Sequence, residues 1–307
     1  MTLSVLLDIA ANASRWQAPF RTALPDARFH SPGEVDAVDY VIAWRPCADT
    51  FRRTRVRKAI FNLGAGVDAL LDVADLPADV PVYRLLDAGM ASQMAEYAVA
   101  TVLRVYRDFD AYAGQQRAVE WRPRERRDKA SFGVGVLGLG VLGRAVIDAV
   151  APFGFPLYGH ARTPCSVAGV EVFAGDASLR AFLARCQVCI CLLPATAATR
   201  DFFGRERLSW LPRGAHLVNL ARGSLVVDED LVAALDSGHL GGATLDVFRQ
   251  EPLPAAHPFW HHPRVTLTPH VSAVTRIDES VTQIAAGIRA IEAGGEPPGR
   301  VDRAWGY

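Results

Sequence analysis

The chain has 307 residues, half of them hydrophobic, enough for two ordinary domains with cores of their own. Lysine plus arginine and aspartate plus glutamate balance at 33 each, which excludes a global field that would gather nucleic acid or an anionic membrane. Two basic runs, RRTRVRK from Arg52 and RPRERRDK from Arg122, lack the aromatic interleaving of a single-strand binder and read as solvated faces or subunit contacts.

The opening MTLSVLLDIA reads as a short strand over 3–8, with neither a basic start nor an apolar run long enough for a signal or a membrane span. Further strands are expected over 38–44 and 59–63. Ser92 then caps a helical pattern over 92–112, long enough to bridge two lobes. A denser series follows: strand 132–137, helix 141–150, strand 156–160, helix 178–185, strand 188–193, short helix 205–211 and strand 216–220. Helix 228–236, strands 243–247 and 265–268, and a closing helix over 278–292 complete it. Short apolar runs alternating with Ala- and Leu-rich helices, divided by Gly or Pro turns, are the signature of α/β architecture with parallel sheets. The five cysteines (Cys47, Cys165, Cys186, Cys189 and Cys191) are odd in number, and three fall in an apolar stretch. Reduced thiols, and so the cytoplasm, are expected.

The segment SFGVGVLGLGVLGRAV places Gly138, Gly140 and Gly143 in G-x-G-x-x-G spacing between a buried-strand pattern and a helical one. In that setting Gly138 allows a tight turn, Gly140 the close approach of a pyrophosphate, and Gly143 the packing of helix on strand. A site for NAD wants a carboxylate about 20 residues further on, to bind the ribose 2′-hydroxyl. Here LYGHARTP has none and offers Arg162, which suits a 2′-phosphate, so NADP(H) is favoured over NAD(H). An ordinary surface arginine is the competing reading of Arg162.

In LVNLARGSLVVDEDL, Arg222 stands where an apolar strand ends. In open parallel sheets that edge is where ligands bind. Glu251 in LDVFRQEPLP and His270 in TLTPHVSA follow the next two strands. An arginine, a glutamate and a histidine on three strand ends fit the reduction of a 2-oxo acid. Arg222 would bind the acid, His270 would pass a proton to the carbonyl oxygen, and Glu251 would hold the imidazolium. Each residue alone also fits a loop or solvated role.

Taken together, LGAGVD from Leu63, MAEYAV from Met94, GVLGLGVLG, LVNLARGSLV, LDVFRQEPLP, TPHVSAVTR and the tail GRVDRAWGY resemble the D-isomer-specific 2-hydroxyacid dehydrogenases, closest to the glyoxylate/hydroxypyruvate reductase branch, essentially end to end. The resemblance implies two parallel-sheet domains, Rossmann-like and flavodoxin-like, with an active-site cleft between the lobes. The substrate-binding domain would take residues 1–98 and 275–307, the dinucleotide domain 99–274. It implies Arg222, Glu251 and His270 as the catalytic set. Ala65 and Gly66 would bind the substrate carboxylate, Trp44 would shape the pocket, and Arg84 is a second, weaker anion handle. Cofactor contacts would fall on Gly138, Gly140, Val141, Leu142, Gly143, Arg162, Leu193, Pro194, Thr199, Leu220, Ala221 and Asp246. The activity implied is NADPH-preferring reduction of glyoxylate and hydroxypyruvate, with NAD(H) as the second cofactor. Its rivals are a dehydrogenase of another D-2-hydroxy acid, and a nucleotide-sensing regulatory protein that binds protein partners.

Relatives often carry a second basic residue where Thr163 and Pro164 stand, and an arginine is commoner than Trp305. His257, His261 and His262 lack metal-ligand spacing, so no metal is expected. Glu96 reads as a capping or interlobe residue. The stretch from Ala111 to Ala130 resembles the arm through which relatives form dimers, with Trp121 as its apolar anchor, so a homodimer is expected.

Overall fold

The computed structural model describes residues 3–10 and 13–307. By compactness the chain divides into Met1–Met90 with Thr275–Tyr307, and Ala91–Val274.

The first unit holds β1 (Leu3–Ile9), α1 (Ala13–Ala23), β2 (Ala27–His30), β3 (Ala37–Trp44), α2 (Thr50–Arg53), β4 (Arg55–Asn62), α3 (Asp68–Leu71) and β5 (Val82–Arg84). Its sheet is wholly parallel in the order β2-β1-β3-β4-β5. In that order the chain reverses direction between β1 and β3, where a doubly wound sheet opens a crevice beyond its strand ends. Leu6, Val41, Ile60 and Val82 pack on one face of this sheet, fully buried or nearly so.

The second unit opens with α4 (Met90–Tyr106) and α5 (Phe109–Arg117). Then come β6 (Val134–Leu137), α6 (Val141–Val150), β7 (Leu157–Ala161), β8 (Glu171–Ala174), α7 (Asp176–Leu183), β9 (Val188–Cys191), α8 (Arg205–Ser209), β10 (Ala215–Asn219), α9 (Asp228–Asp236), β11 (Leu240–Leu245) and β12 (Val265–Leu267). Seven parallel strands run β12-β11-β10-β9-β6-β7-β8. Every residue of β6, β9 and β10 is buried, as a strand covered on both faces requires. Alternation sorts them: Leu137, Cys189 and Leu217 pack on one face, and Val136, Ile190 and Val218 on the other with Met94, Ala98 and Val102 of α4. The topology switches between β6 and β9, beside the glycine turn. The last helix, α10 (Ile277–Glu292), belongs to the first unit.

The structure departs from the sequence reading in two places. The helix expected over 92–112 is broken. Asp108 takes a left-handed φ of 57°, and its carboxylate is drawn to Arg127 Nη2 at 2.6 Å. Just before it, the Tyr106 ring packs against Phe132 and Phe155 at centroid distances of 5.2 and 5.0 Å. Six elements also went unread. Helices α2 and α3 are single turns of four residues. Strands β2, β5 and β8 are four residues long or fewer and lie at sheet edges. Helix α1 carries Pro19 inside it and buries a single side chain, Phe20.

Candidate active site

In the second unit the glycine turn has the conformation its spacing implies. Gly138 sits at φ 106°, open to glycine and strained for other residues. A Cβ on Gly143 would collide with the Gly138 carbonyl, so helix and turn meet only through hydrogen. A Cβ on Gly140 would meet nothing within 4 Å, and Gly140 caps α6. The turn therefore presents exposed backbone at a helix N-terminus beside a topological switch, a cradle that fits a dinucleotide pyrophosphate. Val141 is exposed and Leu142 half-buried on the first turn of α6. Arg162 is exposed just beyond β7. Leu193 and Pro194 follow β9, where Thr199 Oγ1 donates to the Pro194 carbonyl at 2.6 Å and accepts from the Thr196 amide at 2.8 Å.

Arg222, Glu251 and His270 follow β10, β11 and β12, three neighbouring parallel strands, so all three leave the sheet at its carboxyl edge. Arg222 is shaped by a residue the sequence reading passed over. Asn219, fully buried at the end of β10, donates from Nδ2 to the Arg222 carbonyl at 2.9 Å and accepts from the Ala221 amide at 3.1 Å. An asparagine inside the apolar run LVNL was the available signal. The Arg222 guanidinium, half-buried, donates to the Ala221 carbonyl at 2.8 Å. Next to it, a Cβ on Gly223 would overlap the backbone of Phe248 and Arg249. That close approach sets the Arg222 turn against the segment leading to Glu251. Arg249 ties the same parts together: its guanidinium bonds the Val226 carbonyl and Asp201, and stands 3.8 Å from Asp228.

The Glu251 carboxylate is held on both oxygens. Oε1 accepts from the Phe248 amide at 3.0 Å, and Oε2 meets His270 Nδ1 at 2.8 Å. The His270 side chain stays 40% exposed, against 24% for Glu251. With Nδ1 engaged, Nε2 is the ring atom left to face a reactant.

His270 has a left-handed φ of 56°, and the loop around it is wrapped on one carboxylate. Asp246, with no exposed surface, accepts from Thr268 Oγ1 at 2.6 Å, the Val271 amide at 2.9 Å and the Ser272 amide at 2.9 Å. The His270 amide donates to the Asp246 carbonyl at 2.8 Å. A carboxylate only accepts, so the Thr268 hydroxyl hydrogen points to Asp246, and Tyr97 of α4 must donate to Thr268 across 2.7 Å. Burial pushes the Tyr97 phenol up, keeping it a donor. Leu220 and Ala221 are buried in the core, so at those positions only backbone can meet a ligand. Asp246 likewise spends its carboxylate on the His270 loop.

In the first unit Trp44, Ala65, Gly66 and Arg84 gather at the carboxyl ends of β3, β4 and β5. Asn62, buried, donates from Nδ2 to the carbonyls of Gly64 and Gly66, each at 3.0 Å, and so shapes the LGAGVD loop. The Trp44 indole lies on Gly64, where a Cβ would overlap the ring. Arg84 Nη1 reaches the Ala65 carbonyl at 3.5 Å, and burial lowers the pKa of its guanidinium. Asp8, buried at the end of β1, accepts from Thr50 Oγ1 and from the Cys47 amide, fixing the loop after Trp44. Among the described residues no cluster of three or more His, Cys, Asp or Glu could hold a metal. His257 pairs with Asp228 at 3.3 Å and His262 with Asp236 at 3.3 Å.

A glycine turn at a switch point, with an arginine turn and a His–Glu pair on neighbouring strand ends, defines a dinucleotide-binding α/β oxidoreductase. Residues 99–272 match the model of the D-isomer specific 2-hydroxyacid dehydrogenase NAD-binding domain. The chain is 45% identical over 303 residues to glyoxylate/hydroxypyruvate reductase A of Serratia proteamaculans (strain 568), covering 96% of this chain and 97% of the relative. The protein of that name from Yersinia enterocolitica is 43% identical, with 96% of each chain covered. Among solved structures, a D-isomer specific 2-hydroxyacid dehydrogenase from Xanthobacter autotrophicus Py2, in complex with NADPH and MES, has a TM-score of 0.94 at 39% identity over 100% of both chains. An NADPH-dependent glyoxylate/hydroxypyruvate reductase from Sinorhizobium meliloti, in complex with NADP and sulfate, has a TM-score of 0.93 at 32% identity, covering 99% of this chain and 100% of that one. The chain belongs to the D-isomer specific 2-hydroxyacid dehydrogenase family and is an NAD(P)-dependent oxidoreductase.

Proposed function

We propose that the chain is an NADPH-preferring reductase of small 2-oxo acids, turning glyoxylate into glycolate and hydroxypyruvate into D-glycerate, with NADH as a poorer second cofactor. The observation that carries this reading is the His270–Glu251 pair at 2.8 Å, on strand ends next to the one that carries Arg222. The absence of a carboxylate after β7, together with Arg162 there, supports the phosphorylated cofactor. The names of the relatives support the substrate pair.

The nicotinamide, when bound, supplies the hydride. Arg222 binds the acid through charge-assisted hydrogen bonds. Within the first unit, the resemblance gives the Ala65 and Gly66 amides a carboxylate-binding role and Trp44 a role in limiting the substrate's bulk. His270 enters the reductive direction protonated on both nitrogens. Nδ1–H is committed to Glu251, so Nε2–H is the proton delivered to the carbonyl oxygen. In the reverse direction Nε2 takes that proton from the hydroxyl. Glu251, fixed by the Phe248 amide, keeps the ring plane constant as its charge changes. Arg84 adds a second cation beside the Ala65 loop.

We also propose a homodimer in the cytoplasm. Residues 118–131 form no helix or strand, and Val119 and Trp121 on this arm are 93% and 98% exposed, an apolar surface that a second copy would cover. Among the described residues, no helix is long and apolar enough to cross a membrane.

The test is spectrophotometric: oxidation of NADPH and NADH with glyoxylate, hydroxypyruvate, pyruvate and 2-oxobutyrate. Turnover highest with NADPH and the two smaller or hydroxylated acids is expected. A protein that binds NADPH and reduces none of the four would overturn the reading in favour of a nucleotide sensor.

A further inference from the structure

The stretch that carries Arg162 hangs between two fixed points. At one end β7 closes at Ala161, paired with Ala174 of β8. At the other, Val167 and Val170 are partly buried against the core. Between them Arg162, Thr163, Pro164, Cys165 and Ser166 are all exposed. Arg144, on α6 directly after Gly143, spans from this stretch to the glycine turn. Its Nε donates to the Leu139 carbonyl at 3.1 Å, between Gly138 and Gly140, and its Nη1 donates to the Ser166 carbonyl at 3.3 Å.

A guanidinium is a rigid plane, so two carbonyls bound by different nitrogens are held at a set separation. A lysine ammonium on a flexible stem carries the same charge without that constraint. We propose that Arg144 is a positioning residue for cofactor choice: it braces the Arg162 stretch to the glycine turn and so fixes where a 2′-phosphate is read relative to the pyrophosphate cradle. The inference rests on the reading that Arg162 meets a 2′-phosphate. NADH and adenosine 5′-diphosphate carry a 2′-hydroxyl there and no phosphate, so they are indifferent to the brace. A general packing role for Arg144 would weaken every nucleotide alike.

The experiment is calorimetric titration of the full-length protein and of the variants Arg144→Gln, Arg144→Lys and Arg162→Ala. The ligands are 2′,5′-ADP and adenosine 5′-diphosphate, with KM for NADPH and NADH measured alongside. Arg144→Gln is expected to weaken 2′,5′-ADP and NADPH by about tenfold, the scale of one lost charge-assisted contact, and to leave adenosine 5′-diphosphate and NADH within about twofold. Arg144→Lys should behave as Arg144→Gln does. Equal losses for all four nucleotides, no loss for any, or a lysine variant that keeps wild-type discrimination would each overturn the brace. Arg162→Ala separates the layers. If it leaves 2′,5′-ADP binding unchanged, the underlying reading of Arg162 falls. If it abolishes discrimination while Arg144→Gln does not, only the role of Arg144 falls.

Discussion

Replacing Asp246 by asparagine changes one oxygen for an amide nitrogen and leaves the shape intact. The native carboxylate accepts three hydrogen bonds in a site with no exposed surface. In the better of the two amide orientations, the remaining oxygen keeps Thr268 and the Val271 amide, and the new NH2 faces the Ser272 amide, donor against donor. Ser272 is itself buried, so its N–H is orphaned at a cost of about 1–3 kcal/mol. The two surviving bonds lose their charge assistance, about 1 kcal/mol each. Together the loss is about 3–5 kcal/mol, all of it falling on the loop that holds His270 at its left-handed φ. Urea unfolding should therefore show a clear drop in stability, and amide exchange at Val271 and Ser272 should accelerate before that of β10. Turnover should fall more steeply than NADPH binding, because the displaced group is the proposed proton donor. A variant as stable as the parent, with unchanged protection of those amides, would refute this account of the loop.

Three further outcomes are expected. His270→Ala should lower kcat by about 10²–10⁴-fold while leaving the Kd for NADPH within about twofold, read by fluorescence titration; near-normal turnover would end the proton-donor assignment. His216 is buried and meets Thr244 Oγ1 at 2.8 Å, and burial pushes its pKa down from 6.5 to about 3. The unfolded chain thus gains a proton first as pH falls below 6.5, so this contribution to stability is complete above that pH. Below it, up to about 1.4 kcal/mol is lost per pH unit toward 3. His160, also lowered by burial, adds to the same slope. Denaturant unfolding between pH 7.5 and 5 should show the decline, and His216→Gln should flatten it; an unchanged slope in the variant would contradict the assignment. Finally, Trp121→Glu should shift the protein from dimer to monomer by light scattering, and a parent already monomeric would dispose of the arm as an interface.

Much of the site could be read from the chain because each feature has a local cause. Gly138 and Gly143 are demanded by a turn only a few residues long, and Arg222, Glu251 and His270 each follow an apolar run that ends abruptly. The family resemblance ran through those same segments. The parts that escaped reading depend on partners far along the chain. Asp246 was read only as a cofactor contact, and its carboxylate also holds residues 22 to 26 positions later. Tyr97 looked like one more helix residue, and its hydroxyl closes that network from 171 positions away. Arg144 read as part of an ordinary helix until two carbonyls from separate turns were found on it. Residue order by itself determined the alternation of strand and helix, the glycine turn and the side chains proposed to react. These follow from backbone sterics and periodic burial, which act over a few residues. Only the tertiary structure decided which buried polar groups hold those side chains in place, because a hydrogen bond between distant segments exists only once packing has brought its donor and acceptor together.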